Sequence, residues 1–510
     1  MTVRVTGFFL LLIAGVSLGQ ECAPKKYDTG IVCVCNVSYC DELPPLKKLD
    51  QPQYQVFTSN QDGLRLHRTN GTFQPYAFNL LNILNSLNTI QINKYERYQT
   101  IFGFGGAFTD AFGINLQSVE PALQEKVLSS YFSKSGIEYN VGRVPIGGTD
   151  FSTKGYSYDD SDTPDPSLSL FKLADEDYRY KLSYIRRARE LNQELKLFAS
   201  AWIAPKWMKT NHAFSGFGRV KDEYYQTWAN YHKKFFDEYK KENITFWGVT
   251  TGNEPSLSMF GSNIPSNRFT IEEMKRWVGD HLGPTIRQSE YKDLKIMVLD
   301  DQRVFLPWFV DAVFSNETIK NYIDIVAVHW YWDDVILPFV LDLVHTKYPE
   351  KLLMGTEACV GDRVWEKGVE LGSWQRGERY AFSVIQDIQH HFIGWTDWNM
   401  ALDTKGGPTY INNNVDSPII INSAAGEFYK QPMYYSLGHF SKFVPRGSVR
   451  IGITQKQFIS STAFLRPDQG VVVVLQNRGN FGHNIELVDS ERGKISLSLG
   501  PHSLTTVVYY

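Results

Sequence analysis

The sequence predicts an α/β fold: a (β/α)8 TIM barrel with a discontinuous β-sandwich domain and a small disulfide-bearing antiparallel β unit. Three observations carry this expectation. Eight short apolar runs stand between residues 101 and 398. Amphipathic stretches separate them, and parallel neighbours need such crossovers. Finally, Gly103-Phe104-Gly105-Gly106 lacks the G-x-G-x-x-G spacing and the acidic ribose partner that an open nucleotide-binding sheet carries. Eight strand–helix units in about 300 residues fit a closed barrel.

The chain begins with an export signal over residues 1–19. Arg4 supplies a positive charge, Phe8 to Val16 an apolar run, and Ser17-Leu18-Gly19 small residues for cleavage. The run is too short to span a membrane, and no other stretch approaches 18 apolar residues, so no transmembrane segment is expected. Four of the five cysteines follow: Cys22, Cys33, Cys35 and Cys40. They lack the C-x2-C pairs of a zinc site, and in an oxidising compartment they read as two disulfides in one of three pairings. Cys359 remains as a free thiol. Sequons at Asn36, Asn70, Asn243 and Asn316, behind a signal peptide, point to glycosylated surface positions.

The predicted strands are Ile101–Ala107, Tyr139–Ile146, Leu197–Trp202, Phe246–Asn253, Lys295–Asp300, Ile325–Trp330, Leu352–Glu357 and Phe392–Trp398. Between them Tyr178, Leu182, Ile185 and Ala188 recur on one helical face. Thr270 and Glu273 form a capping box, and Asp222 to Lys241 reads as another helix. The flanks carry short β-like runs such as Gly470–Leu475 and Leu504–Tyr509. Residues 48–98 with 448–510 are assigned to the β-sandwich, 20–47 with 400–431 to the small disulfide unit, and 99–399 with 432–447 to the barrel. A chain of 510 residues suits two or three such units.

The net charge of −3 leaves no footprint for nucleic acid. Aromatic residues make up 14%, which a rich core explains more readily than a sugar or lipid cleft does. The chemistry must come from the C-terminal strand ends, where barrels place their active sites. There stand Arg143 and Asp150, Trp202, Asn253-Glu254-Pro255, Asp300-Asp301, His329-Trp330, Glu357 and Trp398. Two carboxylates facing each other across one rim are what glycoside cleavage needs, one protonated and one ionised. Glu254 is the candidate acid/base and Glu357 the candidate nucleophile. Asn253 is placed to donate to a sugar 2-hydroxyl, and His329, Trp202 and Trp398 to bind or orient the ring. Arg143 is placed to hold the nucleophile ionised. Asp300-Asp301 stay open between a rim role and capping the next helix. A binding protein without catalysis has no use for both glutamates and Asn253 together.

Longer strings make the sequence recognisable. Phe104-Gly105-Gly106-Ala107, Asn253-Glu254-Pro255-Ser256, Leu299-Asp300-Asp301-Gln302-Arg303, Val328-His329-Trp330-Tyr331, Glu357-Ala358-Cys359-Val360-Gly361 and Gly394-Trp395-Thr396-Asp397-Trp398-Asn399 run through nearly the whole mature chain. On these strings the chain resembles the lysosomal glucosylceramidases, the acid β-glucosidases of glycoside hydrolase family thirty. The resemblance implies a retaining β-glucosidase that splits glucosylceramide into glucose and ceramide through a covalent glucosyl-enzyme. An alternative is a secreted family-thirty β-glycosidase acting on another glycoside or a polysaccharide. The resemblance implies the roles already given to Glu254 and Glu357. It implies glucose contacts at Asp150, Trp202, Asn253, Trp398 and Asn413, and disulfides Cys22–Cys33 and Cys35–Cys40; His329 and Tyr331 are expected to join the substrate contacts. No metal or organic cofactor is implied. A saposin-type activator, an anionic lipid surface and delivery to the lysosome by the secretory pathway (or release from the cell) are. The segments Leu257–Phe269 and Trp332-Asp333-Asp334 depart from the vertebrate-like pattern, at loops that border the lipid-facing entrance in that family.

Overall fold

The computed structural model describes residues 21–76 and 88–510, so the expected export signal lies outside the described residues. The chain opens with the hairpin β1 (Pro24–Tyr27) and β2 (Gly30–Asn36). Cys22–Cys33 and Cys35–Cys40 bridge it, and Cys359 is free and buried. Next come β3 (Gln53–Asn60), β4 (His67–Thr72) and β5 (Thr89–Thr100).

The barrel strands follow: β6 (Gly103–Ala107), β7 (Val141–Ile146), β8 (Lys196–Ala201), β9 (Gly248–Thr250), β10 (Lys295–Gln302), β11 (Ile325–His329), β12 (Leu352–Glu357) and β13 (Phe392–Asn399). They close into one barrel in chain order, β13 pairing with β6. All eight coincide with the runs expected from the sequence. Alternation along each strand sorts the side chains. Met297, Ile325, Ala327, Met354 and Ile393 fill the lower barrel around Phe198. Val326, Val328 and Trp330 point outward into the core beneath the helices.

The helices between them include Leu182–Leu191, Tyr225–Lys241 and Ile271–Trp277. The capping box forms: Thr270 accepts from the Glu273 N–H and Glu273 from the Thr270 N–H. One expectation needs correcting. Tyr178 does not join Leu182, Ile185 and Ala188 on the buried face. A π-helical turn, Asp177–Lys181, precedes that helix and adds a residue to the repeat. Lys181 is buried in its place, against Asp110 and Asp177.

After the barrel come β14 (Ala401–Asp403), β15 (Ile419–Asn422) and β16 (Glu427–Lys430). They join β1 and β2 in a five-stranded sheet, antiparallel except that β14 and β15 run parallel. Helix Pro432–Ser441 then leads to β17 (Val449–Ile453), β18 (Ile459–Leu465), β19 (Val471–Asn477), β20 (His483–Asp489), β21 (Gly493–Leu499) and β22 (Ser503–Tyr509). With β3, β4 and β5 these make a nine-stranded sheet around one core that includes Val56, Ile90, Val473 and Leu487. His439 of that helix bonds Thr506 of β22 and Ser59 of β3, at 2.8 and 2.9 Å, and so ties barrel to sheet. Asn70, Asn243 and Asn316 are exposed, and Asn36 is half-buried. No helix among the described residues is long and apolar enough to cross a membrane.

Candidate active site

The barrel's own alternation brings Arg143, Ser200, Trp202 and His329 toward the axis above the apolar floor. Three register shifts break that alternation at the C-terminal ends. Asp300 is an extra residue in β10, Thr356 in β12, and one more lies between Thr396 and Asn399 in β13. A bulge lets consecutive side chains face the same way. Thr356 and Glu357 can therefore both reach inward. The backbone is strained at the same places: Leu299, Asp300 and Glu254 have φ of 81°, 48° and 40°. Non-glycine residues adopt such angles only where the surroundings enforce them.

Arg143 is the hub, fully buried. Its Nη1 donates to Glu357 Oε2, and its Nη2 to Asp300 Oδ2 at 2.8 Å and Asn253 Oδ1 at 2.9 Å. Asp300 also accepts from Ser200 at 2.6 Å and Thr356 at 2.7 Å. His329 bridges Asp300 and Glu254, with Nε2 3.0 Å from Asp300 Oδ1 and Nδ1 2.9 Å from Glu254 Oε1. Gln302 donates to that same Glu254 oxygen at 2.6 Å, and the Tyr331 hydroxyl to Glu357 Oε1 at 2.7 Å. A carboxylate oxygen of Glu254 lies within 4.8 Å of one of Glu357.

Each perturbed group has a physical cause. Burial would raise Asp300, but the Arg143 guanidinium and His329 hold it well below the usual carboxylate range. Burial would lower His329, but Glu357, Asp300 and Glu254 push it up to about 10, so it is charged at neutral and acidic pH. Burial pushes Glu357 up, while Arg143 and His329 oppose the rise. Asp150 is driven up to about 7 by burial, against a hydrogen bond from Asn413. Large opposed perturbations in one cleft mark a site of chemistry.

Glu357 and Asp150 border a cavity of about 190 Å³. Asp150, Trp202, Asn253, Glu254, Tyr331, Glu357, Trp398 and Asn413 all line it. Trp202 and Trp398 stack at 4.9 Å between ring centres, and Asn413 donates to Asp150 at 2.8 Å. Two sequence expectations change. His329 is 1% exposed, does not line the cavity, and faces carboxylates rather than an incoming ring. Tyr331 lines the cavity, yet its hydroxyl is engaged by Glu357. Neither Asp300 nor Asp301 caps a helix; the two carboxyls serve the network and the turn after Glu254. Sequence reasoning missed Gln302 and Ser200. Gln302 left a trace, as the residue after Asp300-Asp301 in the recognised string, and Trp332 entered only as part of a loop that departs from the family pattern. A larger cavity of about 590 Å³ lies at the opposite end of the barrel, around Phe102, Trp247 and Arg446, and borders none of these groups. Glu254, His329 and Glu357 are near enough together for a cation. Their donor set does not suit one: Arg143 already occupies Glu357, and both His329 nitrogens face carboxylates. Among the cysteines, Cys35 and Cys40 have their sulfurs in a disulfide.

Comparison with known proteins places this geometry. Residues 101–444 match the glycosyl hydrolase family 30 TIM-barrel domain, and residues 447–507 that family's beta sandwich domain. The lysosomal acid glucosylceramidase of Mus musculus is 39% identical over 100% of this chain and 99% of its own. A putative glucosylceramidase 3 of Caenorhabditis elegans is 42% identical over 96% of this chain and 95% of its own. The solved structure of an endo-β1,6-glucanase is similar at TM-score 0.79, with 26% identity, over 89% of this chain and 99% of that one.

Proposed function

The chain belongs to glycosyl hydrolase family 30, and from that premise we propose that it hydrolyses β-glucosylceramide to glucose and ceramide with retention, using Glu254 and Glu357. One observation carries the assignment: the two carboxylates approach within 4.8 Å over one cavity. Retaining enzymes hold them about 5–5.5 Å apart, whereas inverting ones leave about 6.5 Å or more for a water.

In the first step a Glu357 oxygen attacks the anomeric carbon. The bond to the ceramide oxygen breaks, and Glu254 gives that oxygen its proton. In the second, water replaces the ester on the opposite face, Glu254 takes the water's proton, and Glu357 leaves as carboxylate. Arg143 and Tyr331 stabilise Glu357 as the ion that attacks and departs. Because Asn253 Oδ1 is taken by Arg143, its Nδ2 is the end left for the sugar 2-hydroxyl. Trp202 and Trp398 form an apolar wall for the ring, and Asp150 with Asn413 accepts hydroxyls. A site that needs one acidic group charged and another protonated has a bell-shaped pH profile, here with an acidic optimum.

The rim supports a lipid aglycone. Leu257, Ile264 and Trp332 close the cavity above the sugar. On the loops that carry the lining residues Leu257 and Asp362, Phe260, Val364 and Trp365 are 79, 97 and 77% exposed, and Phe217 packs beside Gly261. Large apolar side chains gathered at a cavity mouth suit an amphiphile surface. We read this rim as the contact for an anionic lipid surface and for a saposin-type helper that presents lipid. Lysosomal delivery and glycosylation at Asn36, Asn70, Asn243 and Asn316 belong to the same proposal.

The test is labelling with a cyclitol-type β-glucoside inactivator followed by peptide mapping, with glucosylceramide, β-xyloside, β-fucoside and β-1,6-glucan assayed in parallel. The expected result is one label on Glu357 and glucose release from glucosylceramide. Label on another residue overturns the mechanism. Cleavage of β-1,6-glucan with glucosylceramide at background transfers the substrate to the alternative reading.

A further inference from the structure

We propose that Asp301 is a positioning residue for Glu254: it ties the Glu254-Pro255-Ser256 turn to the strand carrying Gln302 and sets a second carboxyl behind the acid/base. The inference rests on the reading of Glu254 given above.

Asp301 sits at the C-terminal end of β10 and is 1% exposed. Its Oδ2 accepts from the Ser256 N–H at 3.0 Å. Its Oδ1 accepts from the Ser256 hydroxyl at 3.1 Å and from the Gln302 N–H at 2.8 Å. Among the described residues no Lys or Arg pairs with it. It therefore joins two segments that both touch the acid/base. Ser256 follows Glu254 by two residues, and Gln302 donates to Glu254 Oε1 at 2.6 Å. The Glu254 N–H donates to the carbonyl of Asp300, the residue before Asp301, at 2.9 Å. Glu254 needs this support because its φ of 40° is one a free chain would leave.

The charged groups facing Asp301 are Glu254, from the loop after β9, and His329, from the end of β11. Asp300 turns the other way, toward Arg143 and His329. Burial and the Glu254 charge push Asp301 up to about 7, against the Ser256 and Gln302 donors and His329. Two carboxyls that share a dry pocket do not readily ionise together, so the Glu254 charge disfavours ionisation of Asp301 behind it. The buried carboxyl that the two-step mechanism leaves unused thus acts through the one that it uses.

The experiment compares wild type, Asp301→Asn and Asp301→Glu on two aryl β-glucosides, each normalised to the sites that the cyclitol inactivator labels. One substrate carries a 2,4-dinitrophenolate, which departs without a proton. The other carries an unactivated phenol, which needs one. For Asp301→Asn the expected result is a basic limb of kcat/KM moved down by about one pH unit. On the phenol substrate a loss of about 10-fold or more is expected, and on the dinitrophenyl substrate a change within about 2-fold. Asp301→Glu should keep the wild-type limb. A basic limb unmoved in Asp301→Asn, or equal losses on both substrates, overturns the proposal, because either result leaves Asp301 a structural residue. Failure of the wild type to label at Glu357 instead removes the underlying reading, so the two failures are distinguishable. Normalisation to labelled sites removes any misfolded fraction of a variant from the comparison.

Discussion

The floor and the rim of this cavity are built on opposite principles. The floor gathers Arg143, Asp300, His329, Glu254 and Glu357 in a dry, closed network in which the strong donors meet buried carboxylates. The rim presents Phe217, Phe260, Val364 and Trp365 to solvent with little to hold them. Charges in a dry site interact strongly and tolerate little change in geometry. Apolar side chains in water are interchangeable so long as their area is kept. On the proposed reading the floor dictates the reaction, and the rim decides which aglycone reaches it.

The sharpest way to break this contrast is to cut the floor at its hub. Arg143→Met removes the guanidinium that Asp300 and Glu357 share, and losing one partner of a buried ion pair costs about 3–5 kcal/mol. Chemical denaturation should show a loss of that size, with activity near background. A variant that stays as stable as wild type would mean that the network is not the keystone of the barrel mouth.

A second test uses pH. His329 is raised, so its contribution to stability is complete below its ordinary value of about 6.5 and fades as pH rises toward 10. Asp150 is also raised, to about 7. Its folded form binds a proton the unfolded chain has released, so the stability it contributes fades between about pH 4 and 7. Asp300 is depressed. Its contribution is full above the ordinary carboxylate range of about 4 and is lost only well below it. The three signs agree on a maximum of stability in mildly acidic solution. The melting temperature should fall steadily from about pH 5 to pH 9, and His329→Asn should flatten the part above pH 6.5. A melting temperature that climbs through this range would contradict the signs of the His329 and Asp150 shifts.

The smallest effect belongs to the rim. Phe260→Ser with Trp365→Ser should lower turnover of glucosylceramide in anionic vesicles by about 10-fold, as expected for two large side chains partly withdrawn from lipid. It should leave a soluble aryl β-glucoside within about 2-fold. Equal losses on both substrates would merge rim and floor into one unit and remove the distinction drawn here.

Much of this was legible in the sequence because strand–helix alternation and two glutamates at strand ends are local patterns. The eight runs, the capping box and the two glutamates at the cavity belong to that class, whereas Asn413 entered only through the family resemblance. His329 was misread because its imidazole looks the same on the page whether it meets a sugar or two carboxylates. Gln302 and Thr356 went unseen because strict alternation would turn neighbours to opposite faces, and the bulges at Asp300 and Thr356 suspend it. The π-helical turn at Asp177–Lys181 hid Tyr178 and Lys181 in the same way, by adding a residue that no propensity announces.

By itself, then, the sequence determined the barrel, its crossovers and the polar residues at its strand ends, since apolar periodicity and chain-local motifs are written in neighbouring positions. Only the tertiary structure decided which charge faces which: Arg143 on Asp300 and Glu357, His329 between Asp300 and Glu254, Asp301 behind the Glu254 turn. Those pairings join residues far apart in the chain, and their energies depend on burial and on a few ångströms of separation that arise only when the barrel closes.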